Sequence, residues 1–275
     1  MSQPVQRIDI AKKTVVYQIP GMEDVSLRRD IVYRTTAAGD LTLDLYSPPN
    51  PTEPLPAVIF VLGYSDVGAQ SRLGCKFKEM GSYISWARLT AASGMAAITY
   101  TNREPIADLD ALLGFLADNA SSLGIDAGRI GIWAASGNVP LALSLLMETE
   151  KRPEYPQCAV LCYGLMLDLD GATGVAESAK IWGFTNPCAG KSVSDLASHI
   201  PIFIARGGKD EMPHLNQALD AFMAKALERN LPITLANHPT GPHAFDLFDD
   251  SHASRAIIRQ ILEFMRSQLT AKSIC

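Results

Sequence analysis

Ser136, Asp210 and His243 are the three side chains on which a chemical reading of this sequence turns. A hydroxyl, a carboxylate and an imidazole are the parts of a nucleophile, a base and the acid that orients the base. Ser136 lies in RIGIWAASGN, residues 129–138, where an apolar run gives way to small residues and then to a helical pattern. This is a small-x-Ser-x-small arrangement, a relaxed form of the G-x-S-x-G elbow that lifts a serine hydroxyl clear of a sheet on a tight strand-to-helix turn. The residues two before and two after the serine must be small because the two arms nearly touch. Ala134 satisfies this; Asn138 is larger, but asparagine tolerates unusual backbone angles. Gly137 would offer its backbone N–H to an oxyanion at a helix N-terminus. Serine is also a favoured helix N-cap, so the pentapeptide alone leaves a capping role open.

Asp210 follows the apolar run 202–205 on a glycine-rich loop, Arg206-Gly207-Gly208-Lys209-Asp210. Taken alone, its commoner reading is a loop carboxylate capping the helix behind Pro213. His243 follows the run 233–236, in Thr240-Gly241-Pro242-His243-Ala244-Phe245-Asp246. Three such residues, each just past a separate strand, carry more weight together than any one alone. His238 is the alternative base and Asp168 the alternative acid, a choice that geometry decides. His199 precedes a strand, and His214 and His252 fall at helix starts. Cys75 and Cys162 are conceivable nucleophiles, but neither has an elbow around it.

The elements that must position these residues alternate. The N-terminal part reads as antiparallel strands at 15–17, 27–33 and 41–46. In the last of these Leu41, Leu43 and Leu45 alternate with Thr42, Asp44 and Tyr46, as in a strand with one buried face. Continuous apolar runs follow at 57–62, 95–100, 130–133, 159–162, 202–205 and 233–236, as expected of strands buried on both faces. Between and after them come helical stripes: one behind Pro105, one at 140–147, one behind Pro213 and one at 257–269. Strand then helix, repeated, predicts a mostly parallel twisted sheet with an antiparallel start and helices on both faces. Two stretches fit the alternation poorly, 64–89 and 163–198, and are expected to form a lid or pocket wall on a single domain spanning 1–275.

Composition narrows the function classes. Hydrophobic residues make up 47% and charged residues 19% of the 275, values of a folded globular chain rather than a disordered one. Net charge is −5 and no run of Lys and Arg stands out, which argues against nucleic acid as a partner. Residues 1–20 lack the apolar core of a secretory leader, and the apolar runs fall far short of the roughly 18–20 residues that cross a bilayer. A cytoplasmic protein without membrane partners is the expectation. The five cysteines are odd in number and irregular in spacing, which suits buried or unpaired thiols rather than a metal site. No phosphate-binding glycine loop and no metal motif occurs.

On these residues the chain resembles the α/β-hydrolases of the esterase kind, close to the dienelactone hydrolase, acetyl-esterase and BD-FAE-like groups. The stretches that carry the resemblance are LTLDLYSPPNP before PAVIFVLG, then DAGRIGIWAASGN, PIFIARGGKDEMP and GPHAFDLFD. The order Ser136, Asp210, His243 is also theirs, and not that of the chymotrypsin or subtilisin folds. The resemblance implies an α/β-hydrolase fold from about residue 41 onward. It implies Ser136 as nucleophile, His243 as base and Asp210 as acid, with an oxyanion hole from the Gly137 N–H and an N–H after the 57–62 strand, which falls on Tyr64. The expected activity is hydrolysis of small-molecule carboxylic esters through an acyl-enzyme, with no cofactor and no metal. Gly63, Ser65 and Trp86 are the candidate substrate contacts. Esterases of this type often carry His-Gly-Gly where this chain has Leu62-Gly63-Tyr64, and Ala134 and Asn138 also depart from the usual glycines. A dienelactone-hydrolase-like or aminopeptidase-like activity is an alternative to ester cleavage, and these departures keep open a catalytically silent binding protein on the same fold.

Overall fold

The computed structural model describes residues 10–147 and 156–270. Within them, eight strands form one sheet: β1 (Ser26–Thr36), β2 (Gly39–Ser47), β3 (Leu55–Phe60), β4 (Ala96–Tyr100), β5 (Ile125–Ala135), β6 (Ala159–Cys162), β7 (Ile202–Gly207) and β8 (Ile233–His238). Their spatial order is β1-β2-β4-β3-β5-β6-β7-β8. β1 and β2 pair antiparallel, as do β2 and β4, and every later pairing is parallel. The helices are α1 (Asp66–Leu73), α2 (Gly81–Ala92), α3 (Pro105–Leu123), α4 (Val139–Leu145), α5 (Gly174–Trp182), α6 (Leu215–Glu228), α7 (Phe245–Phe248) and α8 (His252–Thr270). This is the α/β-hydrolase fold.

The apolar runs become the centre of the sheet for the reason their composition suggests. Residues 57–62 and 96–98 are wholly inaccessible to solvent, because helices cover both faces of the parallel strands. Helix α2 packs on β4 and β2, α3 on β5 and β1, and α8 along β3, β5, β6, β7 and β8. Pro105 opens α3 at its first turn, where a missing N–H costs nothing.

Three expectations are corrected. Residues 15–17 form no strand: Val15 N–H donates to Ser85 Oγ (3.0 Å) and Val16 N–H to the Asp246 carbonyl (2.8 Å), so the segment pins itself to helices α2 and α7 instead of to a ladder. β2 does not have one buried face. Asp44 and Tyr46 are buried as well, because β2 lies inside the sheet and Lys78 reaches in to pair with Asp44 at 2.9 Å. Nor does the stretch 64–89 break the strand–helix alternation: it holds α1, a 3-10 turn at Phe77–Glu79 and most of α2, the crossover from β3 to β4.

From β3 the chain crosses to β4 on one side and then returns to β5 on the other. The strand order therefore reverses between β3 and β5, and in such sheets ligands bind in the crevice outside the carboxyl ends at that point. Residues 61–65 leave β3 there and Ser136 leaves β5 there.

Candidate active site

Ser136 follows the last residue of β5 and opens a 3-10 turn, Ser136–Asn138, that runs into α4. Its φ is +55°, a left-handed conformation that costs a residue with a side chain about 1–3 kcal/mol and tends to mark functional positions. Tyr163, just past β6, and Ala244, just past His243, also have positive φ, and all three line one cavity of about 780 Å³. His243 lines the same cavity.

His243 Nδ1 lies 2.6 Å from Asp210 Oδ2, and the Asp210 side chain is fully buried. The other carboxylate oxygen, Oδ1, accepts from the Met212 N–H at 2.9 Å. The loops that carry this pair are tied to each other: Gly208 N–H donates to the His238 carbonyl (2.8 Å) and Lys209 N–H to the Gly241 carbonyl (2.9 Å). A Cβ on Gly208 would stand 2.5 Å from the Pro239 carbonyl oxygen, so the glycine allows the two backbones to touch.

On the other side of the cavity the loop after β3 meets the elbow. A Cβ on Gly63 would lie 3.0 Å from the Gly137 carbonyl oxygen and 3.1 Å from Asn138 Cα. Gly137 is itself covered by the Tyr64 hydroxyl and the Phe184 ring. The Gly63 N–H donates to Asn138 Oδ1 at 2.7 Å, and the Gly63 carbonyl accepts from Thr185 N–H at 2.8 Å. The Tyr64 and Gly137 amides donate to no other group among the described residues.

The cavity wall is mostly aromatic and aliphatic. Tyr64, Phe77, Tyr83, Trp86, Trp133 and Tyr163 supply rings, and Arg72, Trp182, Met212 and Phe248 are among its further lining residues. Phe77, Tyr83, Trp86 and Trp133 belong to one cluster of tilted and edge-on ring contacts. Among these rings lies a carboxylate that sequence reading missed. Asp246 accepts from the Trp86 indole (2.7 Å) and the Tyr163 hydroxyl (2.8 Å). Burial pushes its carboxyl up, and the two donors pull the other way. Tyr163 in turn sets its ring edge-on to His243, 5.0 Å between centroids. The available signal was spacing: Asp246 follows His243 by three residues, inside a stretch already singled out. Tyr163 had no comparable signal.

Ser136, His243, Tyr64 and Trp86 line this crevice, while Asp210 stands behind His243, Gly137 lies beneath Tyr64 and Phe184, and Gly63 is held against the elbow by Asn138 without lining the cavity. Ser65 is placed otherwise: it caps α1, accepting from the Gly68 N–H at 3.2 Å, and does not line the cavity. The rivals also find other work. His238 Nε2 lies 2.8 Å from Asp249 and 3.1 Å from Ser254 Oγ, buried and outside the cavity. Asp168 accepts from the Val175 and Ala176 N–H groups, both at 2.8 Å, at the start of α5. Burial raises the Cys162 thiol well above its ordinary value and also raises that of Cys75, which suits neither as a nucleophile. Cys275 lies outside the described residues.

The fold is similar to that of several solved esterase structures. A bacterial heroin esterase superposes with a TM-score of 0.67 at 15% identity, covering 93% of this chain and 88% of that one. Brefeldin A esterase, a bacterial homologue of human hormone-sensitive lipase, gives 0.72 at 12% identity over 98% of this chain and 84% of its own. Esterase 2 of Thermogutta terrifontis, with propionate bound, gives 0.63 at 18% identity, covering 92% and 98%. No protein-family model and no curated protein sequence matches the chain. Among the described residues, no helix is long and apolar enough to cross a membrane.

Proposed function

We propose that this protein is a serine hydrolase that cleaves small-molecule carboxylic esters through an acyl-enzyme on Ser136. The observation that carries the reading is the 2.6 Å contact of His243 Nδ1 with the buried Asp210 carboxylate, in a cavity shared with a strained Ser136. With Nδ1 held by Asp210, Nε2 is the nitrogen left to take the Ser136 proton as Oγ attacks the ester carbonyl. The Gly137 and Tyr64 amides, which have no other acceptor among the described residues, hold the oxyanion. His243 then protonates the leaving alcohol, and water, with His243 again as base, releases the acid. The ring-lined cavity suits an ester with a sizeable apolar group. The esterase neighbours support the reaction class.

The test is fluorophosphonate labelling of the protein beside its Ser136→Ala variant, with p-nitrophenyl acetate turnover read in parallel. Labelling and turnover that both vanish in the variant are expected. A folded parent that neither labels nor turns over would leave a silent ligand-binding fold as the reading.

A further inference from the structure

Asn138 occupies the elbow position where a small residue is usual, and the residue is 3% exposed. Its amide is used at both ends. Oδ1 accepts from the Gly63 N–H at 2.7 Å, and Nδ2 donates to the Ala135 carbonyl at 3.1 Å and to the Tyr83 hydroxyl at 3.0 Å. The amide can sit only one way round, because a flip would set N–H against N–H at Gly63 and oxygen against oxygen at Ala135. One side chain thus ties the loop after β3 to the strand end that carries the nucleophile.

The tie also sets a direction. The peptide between Gly63 and Tyr64 is planar, and in the trans form its C=O and N–H point opposite ways. Thr185 N–H holds the Gly63 carbonyl at 2.8 Å, so the Tyr64 N–H is aimed away from Thr185. Asn138 fixes the preceding N–H of the same loop. With both ends of Gly63 held, the Tyr64 donor has no freedom to swing.

We infer that Asn138 is a positioning residue of the oxyanion hole, which fixes the Tyr64 N–H through Gly63 in place of the histidine and second glycine that this loop lacks. The inference rests on the reaction proposed above.

Its test compares Asn138→Ala and Asn138→Leu with the parent, the leucine keeping the volume should alanine fail to fold. Misplacing one oxyanion donor predicts a kcat loss of roughly 10²-fold with KM within threefold. The inhibition constant of an alkyl boronic acid, which forms a tetrahedral adduct on serine, should rise by the factor that kcat/KM falls. The inflection of the pH–rate profile should stay in place, since the base is untouched. Asn138→Asp, which keeps an acceptor for Gly63, should recover part of the loss. A folded variant with kcat within threefold of the parent overturns the inference, as does a loss confined to KM with boronic acid affinity unchanged. A parent without Ser136-dependent turnover overturns the functional reading, and the inference with it.

Discussion

The loops after β7 and β8 are tied to each other by backbone hydrogen bonds, whereas the loop after β3 is tied to the elbow after β5 by the side chain of Asn138. On the first side, Gly208 and Lys209 N–H groups reach the His238 and Gly241 carbonyls, beneath the side-chain contact of Asp210 with His243. On the second, Asn138 ties Gly63 to the elbow, and Asn102 ties both ends of the same loop. Asn102 Nδ2 donates to the Leu62 carbonyl at 3.2 Å, its Oδ1 accepts from the Asp66 N–H at 3.1 Å, and its own N–H donates to Asp66 Oδ2 at 3.1 Å. A backbone-built contact is broken only by adding bulk; a side-chain clamp is broken by removing one amide.

The largest effect should come from the acid. Asp210→Asn keeps the shape of the side chain but can present an N–H to His243 Nδ1, which favours the wrong imidazole tautomer. A kcat loss of roughly 10³–10⁴ is expected, by analogy with the known cost of the same change in a serine protease triad. Steady-state kinetics beside an unchanged Tm would show that the loss is chemical. Next comes the backbone contact. Gly208→Ala sets a Cβ 2.5 Å from the Pro239 oxygen and 2.9 Å from its carbonyl carbon, atoms that belong to main chain and cannot turn aside. The His243 loop must shift, and displacements near 1 Å cost on the order of 10²-fold in rate. A kcat for Gly208→Ala within a few-fold of the parent would contradict the close approach.

These two sides also differed in how far the sequence disclosed them. Gly207-Gly208 before Asp210 and Gly241-Pro242 before His243 are turn signals with fixed meaning, so the loops that carry Asp210 and His243 could be placed from residue types. Asn138 and the Leu62-Gly63-Tyr64 loop read only as departures, because an amide contact between positions 63 and 138 leaves no mark in local pattern. The strands at 57–62 and 96–100 were legible for the same reason as the glycines: uninterrupted apolar character has one common cause, burial on both faces. Residues 15–17 misled because β-branched side chains pack equally well in an extended segment that pairs with no strand. Asp246 and Tyr163 stayed hidden since their partners, Trp86 and His243, lie 160 and 80 positions away in the chain.

A smaller effect belongs to the outer end of the β3 loop. Asn102→Ala removes the bonds from its side chain to Leu62 and Asp66 while leaving Asn138 to hold Gly63. A kcat loss on the order of tenfold is expected, smaller than that of the Asn138 variants because the clamp nearest the donor survives. The double variant Asn102→Ala/Asn138→Ala measures whether the two asparagines act on one loop. A combined loss short of the product of the single losses indicates that they do; strict multiplicativity means that they act separately.

The smallest effect concerns stability and pH. Asp66 opens α1, and burial raises its carboxyl from the ordinary 3.8 to about 6 against the opposing bond from Asn102 N–H. Its Oδ1 is buried with no partner among the described residues. The folded chain therefore holds the Asp66 proton more tightly than the unfolded chain does. The stability tied to that proton is complete below about pH 4 and is lost as pH rises through 6, in the direction linkage requires. Asp66→Asn has no proton to lose there. Between pH 4 and pH 7 the Tm of the parent should fall relative to that of the variant by roughly 4–8 °C, since raising the carboxyl from 3.8 to about 6 is worth about 2 kcal/mol across that range and each 1 kcal/mol moves Tm by about 2–4 °C in a domain of this class. Thermal melts of both proteins at the two pH values give the double difference, which cancels the contribution of Asp246 because both proteins retain it. A double difference near zero would mean that water or a shift of α1 relieves the buried oxygen. The loop after β3 would then be softer at its outer end than at Gly63, and the Asn102 effect should shrink with it.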